Sequence, residues 1–185
     1  MKDQLDACLE QIKNDDIRNW TRDFLMNKVP DYFWVVGASS TGKYHPTYAQ
    51  NKGGLIRHER AAVKIAIELI DNDLFDFIDH ERDVIIAGLL LHDSFKYGKD
   101  KGKYTEFTHP LIAGDEVLKY EGISIETREE IKEIIYKHMG KWVKNYRTGK
   151  KLLDKPTTKI ERFTHLCDYL ASRKFLEVNF NEVDV

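Results

Sequence analysis

Eight consecutive apolar residues, Val84 to Leu91, run directly into His92 and Asp93. A helix built from this run has no polar face, so it must be covered on nearly all sides. It is also far too short to span a bilayer. A carboxylate at the end of such a helix is expensive to bury without a partner. A bound cation offsets that cost directly, and a water-filled cleft lessens it. The segment therefore predicts a central helix, a shell of other helices around it, and a charged partner for Asp93.

The rest of the chain supplies that shell. Residues 3–28 have an amphipathic helical period that Asn14, Asp15 and Asp16 are placed to break, and Pro30 marks the exit. Residues 31–36 are aromatic and β-branched and read as a short strand or extended turn. Residues 37–54 read as a long loop, a feature that is often functional inside a compact domain. Leu55 to Ile70 has a helical apolar side, and Asp83 is the expected start of the central helix, with Gly98 as its stop. Thr108, His109 and Pro110 open another helix, and Ser124 with Thr127 opens the next, which ends near His138. After Pro156 a long helix is expected to use Ile160, Phe163, Cys167, Leu170 and Phe175 as its core face, and the acidic tail beyond Phe180 is expected to fray. The expectation is one all-α helical bundle of 185 residues, with residues 1–30 as an N-terminal helical segment and 53–175 as the core.

Composition is that of an ordinary soluble globular protein. A net charge of −2 does not suggest wholesale coating of nucleic acid but leaves room for a local basic patch. Cys8 and Cys167 have no metal-ligand spacing and read as two inert thiols. The N-terminus lacks a signal-like apolar core, so a cytoplasmic location is expected, with no membrane partner. The oligomeric state is left open.

Five separated pieces end in metal-ligand residues: His58, His92 with Asp93, His109, His138 and Asp168. Seven histidines and 17 aspartates in 185 residues would give roughly 0.6 His-Asp pairs by chance, so the dipeptide alone carries little weight. The set is more informative, because imidazole and carboxylate together suit divalent transition metals that activate water.

The segments GGLIRH, LLLHDSFK, HPLIAGDEVL, KHMGKW and HLCDYLASR, between Gly53 and Arg173, resemble the HD superfamily of metal-dependent phosphohydrolases. The order of ligands is similar to that of two-metal members, including cyclic-dinucleotide phosphodiesterases and dinucleoside-polyphosphate hydrolases. The Gly-Tyr-Pro extension of the former is missing, because MGKWVKN follows His138. The resemblance implies that His58, His92, Asp93 and Asp168 hold one metal. It implies that His109 and His138 hold a second, with Asp93 bridging. It implies Mn, Fe, Co, Ni or Mg as the ion, one or two in number. It further implies that Asp93 and Lys96 take part in catalysis, with Lys96 steadying the phosphate, and that a phosphoester or phosphoanhydride of a nucleotide or related small phosphate is the substrate. Two other readings stay open: a di-iron oxygenase of the same fold, and a non-catalytic nucleotide-binding module.

Residues 37–43, GASSTGK, have the spacing of a phosphate-cradling loop, but Tyr44 stands where a metal-holding hydroxyl belongs and His45-Pro46 interrupts the required helix. The loop is better read as the rim of the site, with Lys43, His45 and Arg57 as candidate substrate contacts. His165 could stand behind the metal ligands, and His80 reads as surface. Lys137, Lys141, Lys144, Arg147, Lys150 and Lys151, interleaved with Trp142 and Tyr146, form a basic stretch that suits a polyphosphate or single-stranded nucleic acid; a solvated helix end and loop is the plainer reading, and Lys141 is the candidate substrate contact in it.

Overall fold

The central helix forms as the apolar run dictates. In the computed structural model, which describes residues 2–72 and 74–175, Val84 to Leu91 are at most 1% exposed. Seven α-helices are present among the described residues: α1 (Asp6–Leu9), α2 (Asp15–Asn27), α3 (Gly54–Asp71), α4 (Asp79–Leu91), α5 (His109–Lys119), α6 (Ile125–Lys137) and α7 (Lys159–Ala171). No strand occurs among them; Lys144 and Lys151 form an isolated antiparallel bridge. Helix α4 packs against α2, α3, α6 and α7, and the contacts of α5 with α6 and of α3 with α7 complete the shell. At Gly88 the α4 backbone passes so close to Ile134 of α6 that a Cβ would lie 2.7 Å from its Cγ2. No helix of the described residues is long and apolar enough to cross a membrane.

Local chemistry sets the ends of these helices. Asn14 breaks the N-terminal period, as its Oδ1 accepts from the Asp16 and Ile17 N–H groups and starts α2. Ser124 caps α6 through the Thr127 N–H. Thr158 and Glu161 cap α7 reciprocally, and Glu161 also holds Lys137 at 2.7 Å, which ties α7 to the end of α6. Both cysteines are free and buried, and burial pushes the Cys8 thiol up to about 12.

Three expectations are corrected. Residues 31–34 form a 3₁₀ turn rather than a strand, because Tyr32, Phe33 and Trp34 are all buried and no alternation is left to present a solvent face. Helix α4 starts at Asp79, four residues before Asp83, and Asp83 lies inside it. Helix α7 stops at Ala171, which leaves Phe175 76% exposed instead of in the core. The expected fraying beyond Phe180 falls outside the described residues.

Asp83 is 2% exposed, and its two oxygens accept from the backbone N–H groups of Lys13 and Asn14, both at 2.8 Å. The N-terminal segment is thus tied to the central helix by a carboxylate that caps α2 from a distance. Asp83→Ala is expected to cost on the order of 2–3 kcal/mol, since it leaves two partly buried donors unpaired. Urea denaturation should show a lowered midpoint with an unchanged slope.

Candidate metal centre

The site is assembled from the ends of four helices and the middle of a fifth. The chain leaves α4 through His92 in a series of tight turns: Ser94 N–H to Leu91 O, Lys96 N–H to Asp93 O, and Gly98 N–H to Phe95 O. This winding lets adjacent residues His92 and Asp93, which would point about 100° apart on a continuing helix, face the same space. The 3₁₀ turn holds the winding in place, as the Tyr32 hydroxyl donates to Gly98 O at 2.5 Å and accepts from the Tyr97 N–H at 3.2 Å. His58 comes from the first turns of α3, His109 from the start of α5, His138 from the end of α6, and Asp168 from the middle of α7.

Asp93 is the centre of the cluster and is 1% exposed. Its Oδ1 lies 2.9 Å from His109 Nε2 and 3.7 Å from His138 Nε2. Its Oδ2 lies 3.6 Å from His92 Nε2 and 3.8 Å from His58 Nε2, and it accepts from the Lys96 ammonium. Asp168 Oδ1 faces the same two histidines, 3.0 Å from His58 Nε2 and 3.5 Å from His92 Nε2. Each Asp93 oxygen therefore addresses its own histidine pair.

Three of the four imidazoles are fixed by the same device. His92 Nδ1 donates to Leu89 O at 2.8 Å, His109 Nδ1 to Glu106 O at 2.6 Å, and His138 Nδ1 to Ile135 O at 2.7 Å. A carbonyl only accepts, so each Nδ1 carries the proton and each Nε2 is turned inward as the free nitrogen. Two of these, on His109 and His138, lie 3.2 Å apart. Two lone pairs at that distance repel unless a proton or a cation stands between them. His92 Nε2 and Asp93 Oδ1 are buried and make no hydrogen bond of good geometry among the described residues. Converging nitrogen and carboxylate donors with unmet valence fit a divalent metal. The groups His58, His92, Asp168 and His92, Asp93, His138 each bring their donor atoms within 4.8 Å of one another.

The charges follow from burial and neighbours. Burial by itself would raise the Asp93 carboxyl, but the Lys96 ammonium, foremost among its neighbours, outweighs it and holds the group well below the usual carboxylate range. Burial likewise opposes the Asp168 charge, and the hydrogen bond from His58 prevails. Burial beside His92 and His109 lowers His138 to about 3, so it is a neutral imidazole.

Glu59 was not among the residues anticipated here. It follows His58 on α3, is fully buried, and places Oε2 3.0 Å from His92 Nδ1. Burial raises its carboxyl, opposed by His92. Its signal in the sequence was positional: Glu59 shares a helix face with the apolar Ala62 and Val63.

The anticipated substrate contacts are distributed unevenly. His45 brings the loop into the site: its ring lies 5.0 Å from that of His58, edge to face, and burial lowers it to about 2. Arg57 instead donates to the carbonyls of Tyr48, Gln50 and Lys52, which makes it a brace of the 46–54 loop. Lys43 is exposed over the Tyr44 ring, and Lys141 is exposed over Trp142. The GASSTGK stretch lies in irregular loop and leads into no helix, so it lacks the architecture of a phosphate-cradling loop. His165 stands behind the cluster, where its Nδ1 donates to His138 O at 2.6 Å. His80 is an exposed partner of Glu130.

The sequence model of the HD domain matches residues 55–173, which span every residue of the cluster. The dihydroneopterin 2',3'-cyclic phosphate phosphodiesterase of Methanocaldococcus jannaschii is 31% identical over 100 residues, covering 51% of this chain. The match covers 40% of that relative, so the chain spans less than half of its length. No solved structure matches the chain. The chain belongs to the HD-domain family.

Proposed function

We propose that this chain is a metal-dependent phosphohydrolase that cleaves a phosphodiester in a nucleotide or a related small heterocyclic phosphate. The observation that carries this reading is the position of Asp93 between two histidine pairs whose Nε2 atoms are turned toward it. His58, His92, Asp168 and Asp93 would hold one metal, and His109 and His138, sharing Asp93, a second. Bound divalent metals supply Lewis acidity and lower the pKa of water to near neutrality.

The chain's own residues supply the rest. The carbonyls of Leu89, Glu106 and Ile135 hold the three imidazoles in the tautomer that ligation requires. Lys96 brings a buried ammonium to the edge of the cluster, where it can pair with a phosphate oxygen and with the charge that builds on it. His45 and its loop stand over His58 and reduce the access of bulk water on that side. The relative's action on a cyclic phosphate supports a diester as the bond cleaved.

The reading is tested by metal analysis of untagged protein and by anaerobic hydrolysis of bis(4-nitrophenyl) phosphate and 2',3'-cyclic nucleotides with Mn added. Turnover without oxygen is expected; oxygen consumption by an iron-loaded protein with no hydrolysis would refute it. Asp93→Asn should lose metal and turnover together. Lys96→Ala should retain metal while kcat falls by about 10²–10³. Glu59→Gln, which keeps the shape of the side chain but removes the carboxyl group behind His92, should weaken metal affinity by roughly 10–100-fold in a calorimetric titration.

A further inference from the structure

A concentrated charge asymmetry lies just outside the histidine cluster. Between residues 137 and 157 the chain carries seven basic residues and one acidic residue, in a protein of net charge −2. An open groove of about 820 Å³ runs through this segment, lined by Lys137, Lys141, Lys144, Lys151, Lys155 and Trp142, among others. Lys137 is paired with Glu133 and Glu161 at 2.8 and 2.7 Å, and Lys151 with Asp154 at 2.6 Å. No acidic partner reaches Lys141, Lys144 or Lys155 among the described residues. Three lysines around one concavity repel each other, and an anion with several oxygens relieves that repulsion.

The groove has a built frame. Its outer wall is a hairpin closed by the Lys144–Lys151 bridge, with Asn145 Oδ1 accepting from the Arg147 and Thr148 N–H groups in the turn. Val143 and Leu153 anchor it, at 7% and 2% exposure. The chain enters from His138 through Gly140, whose φ of +61° and contact with the His165 ring exclude any side chain. Trp142 is 42% exposed, and its indole stacks on Tyr169 at 6.1 Å and 25°. Its ring centre lies 6.5 Å from that of His165, which is bonded to His138 O. No residue of the cluster lines the groove, and the two are linked through Trp142, His165 and the His138 carbonyl.

A mononucleotide held by the cluster has no second phosphate to offer these lysines. We infer that the groove binds an adjoining phosphate-and-base unit of the substrate, so that the ligand of this protein is a short single-stranded oligonucleotide, with phosphates on Lys141, Lys144 and Lys155 and a base on Trp142, whose ring the Lys141 ammonium covers at 5.2 Å until a phosphate draws it aside. Base stacking on an exposed aromatic beside a lysine-lined track is the general means of holding single strands without reading sequence. The inference rests on the hydrolase reading for what happens at the cluster, but the binding it requires is measured separately.

The experiment is equilibrium binding of a phosphorothioate hexanucleotide, whose backbone resists cleavage, to the full chain, followed by tryptophan fluorescence. Trp20 and Trp34 are 5% exposed, so quenching reports chiefly Trp142. The hexanucleotide is expected to bind at least tenfold more tightly than AMP, with quenching. Its log affinity should fall against log salt with a slope of about −2, from three contacts at roughly −0.7 each. Lys144→Glu combined with Lys155→Glu should weaken binding at least tenfold and flatten the slope, with unchanged melting. Equal affinity for AMP and the hexanucleotide, or wild-type binding by the double variant, would overturn the inference. Inorganic tripolyphosphate that competes fully without any quenching by the oligonucleotide would also overturn it, by making the groove a plain anion site. Hydrolysis of bis(4-nitrophenyl) phosphate without oligonucleotide binding defeats the groove alone, whereas binding without hydrolysis under any metal defeats the hydrolase reading alone.

Discussion

The structure depends on one costly placement: the Asp93 carboxylate at the buried end of an apolar helix. An isolated ion there would be worth many kcal/mol of destabilisation and would neutralise itself instead. Lys96 supplies one positive charge directly, three residues along the same turn. It engages only Oδ2, and Oδ1 is left facing His109 and His138. Because its polar partners come from α3, α5 and the end of α6 as well as from the turn, the packing of these helices is read out at a single carboxylate. Replacing such a cluster by apolar residues would be tolerable for stability. Its presence is therefore better explained by chemistry than by folding.

That chemistry requires the turn after α4 to be rigid, and the parts of the chain furthest from the ligands provide this. Tyr32 bonds both Gly98 O and the Tyr97 N–H, and the Tyr97 hydroxyl donates to Gly37 O, which fixes the loop to the same turn. Asp83 anchors the N-terminal helices to the opposite end of α4. Arg57 gathers three loop carbonyls so that His45 is delivered beside His58. Residues 1–52, which carry little functional chemistry of their own, thus position what does.

Much of this was legible in the residue order, for a physical reason in each case. The 3.6-residue period located α3, and the helix-start residues at Thr108 to Pro110 and at Ser124 located α5 and α6. The apolar run was read as a central helix, which it is. What was misread depended on distant partners. The aromatic 31–36 stretch has strand composition, but Tyr32, Phe33 and Trp34 are all buried from a 3₁₀ turn, so no sheet is needed. Asp83 resembles a helix start because a carboxylate suits an N-terminus; it does cap a helix, but one that begins at residue 15. Arg57 beside His58 reads as a phosphate contact until the loop carbonyls are seen to fill its guanidinium.

The two halves of the cluster are electrostatically unequal: Asp168 faces only the first, and the Glu59 carboxyl backs His92 there. Around His58 and His92 stand three carboxylates: Asp93, Asp168 and Glu59. Around His109 and His138 the only one in ion-pair reach among the described residues is Asp93, and both rings are backed by neutral carbonyls. A carboxylate behind an imidazole raises its basicity as a ligand, which a carbonyl does less strongly. On the proposed reading, a cation in the first half would be the more firmly held. A cation in the second half, with fewer charges and two closely spaced nitrogens around it, would be held more weakly and would gain from the negative charge of a substrate phosphate. Occupancy of the second site would then rise with substrate binding, coupling the assembly of the centre to the arrival of the group it cleaves.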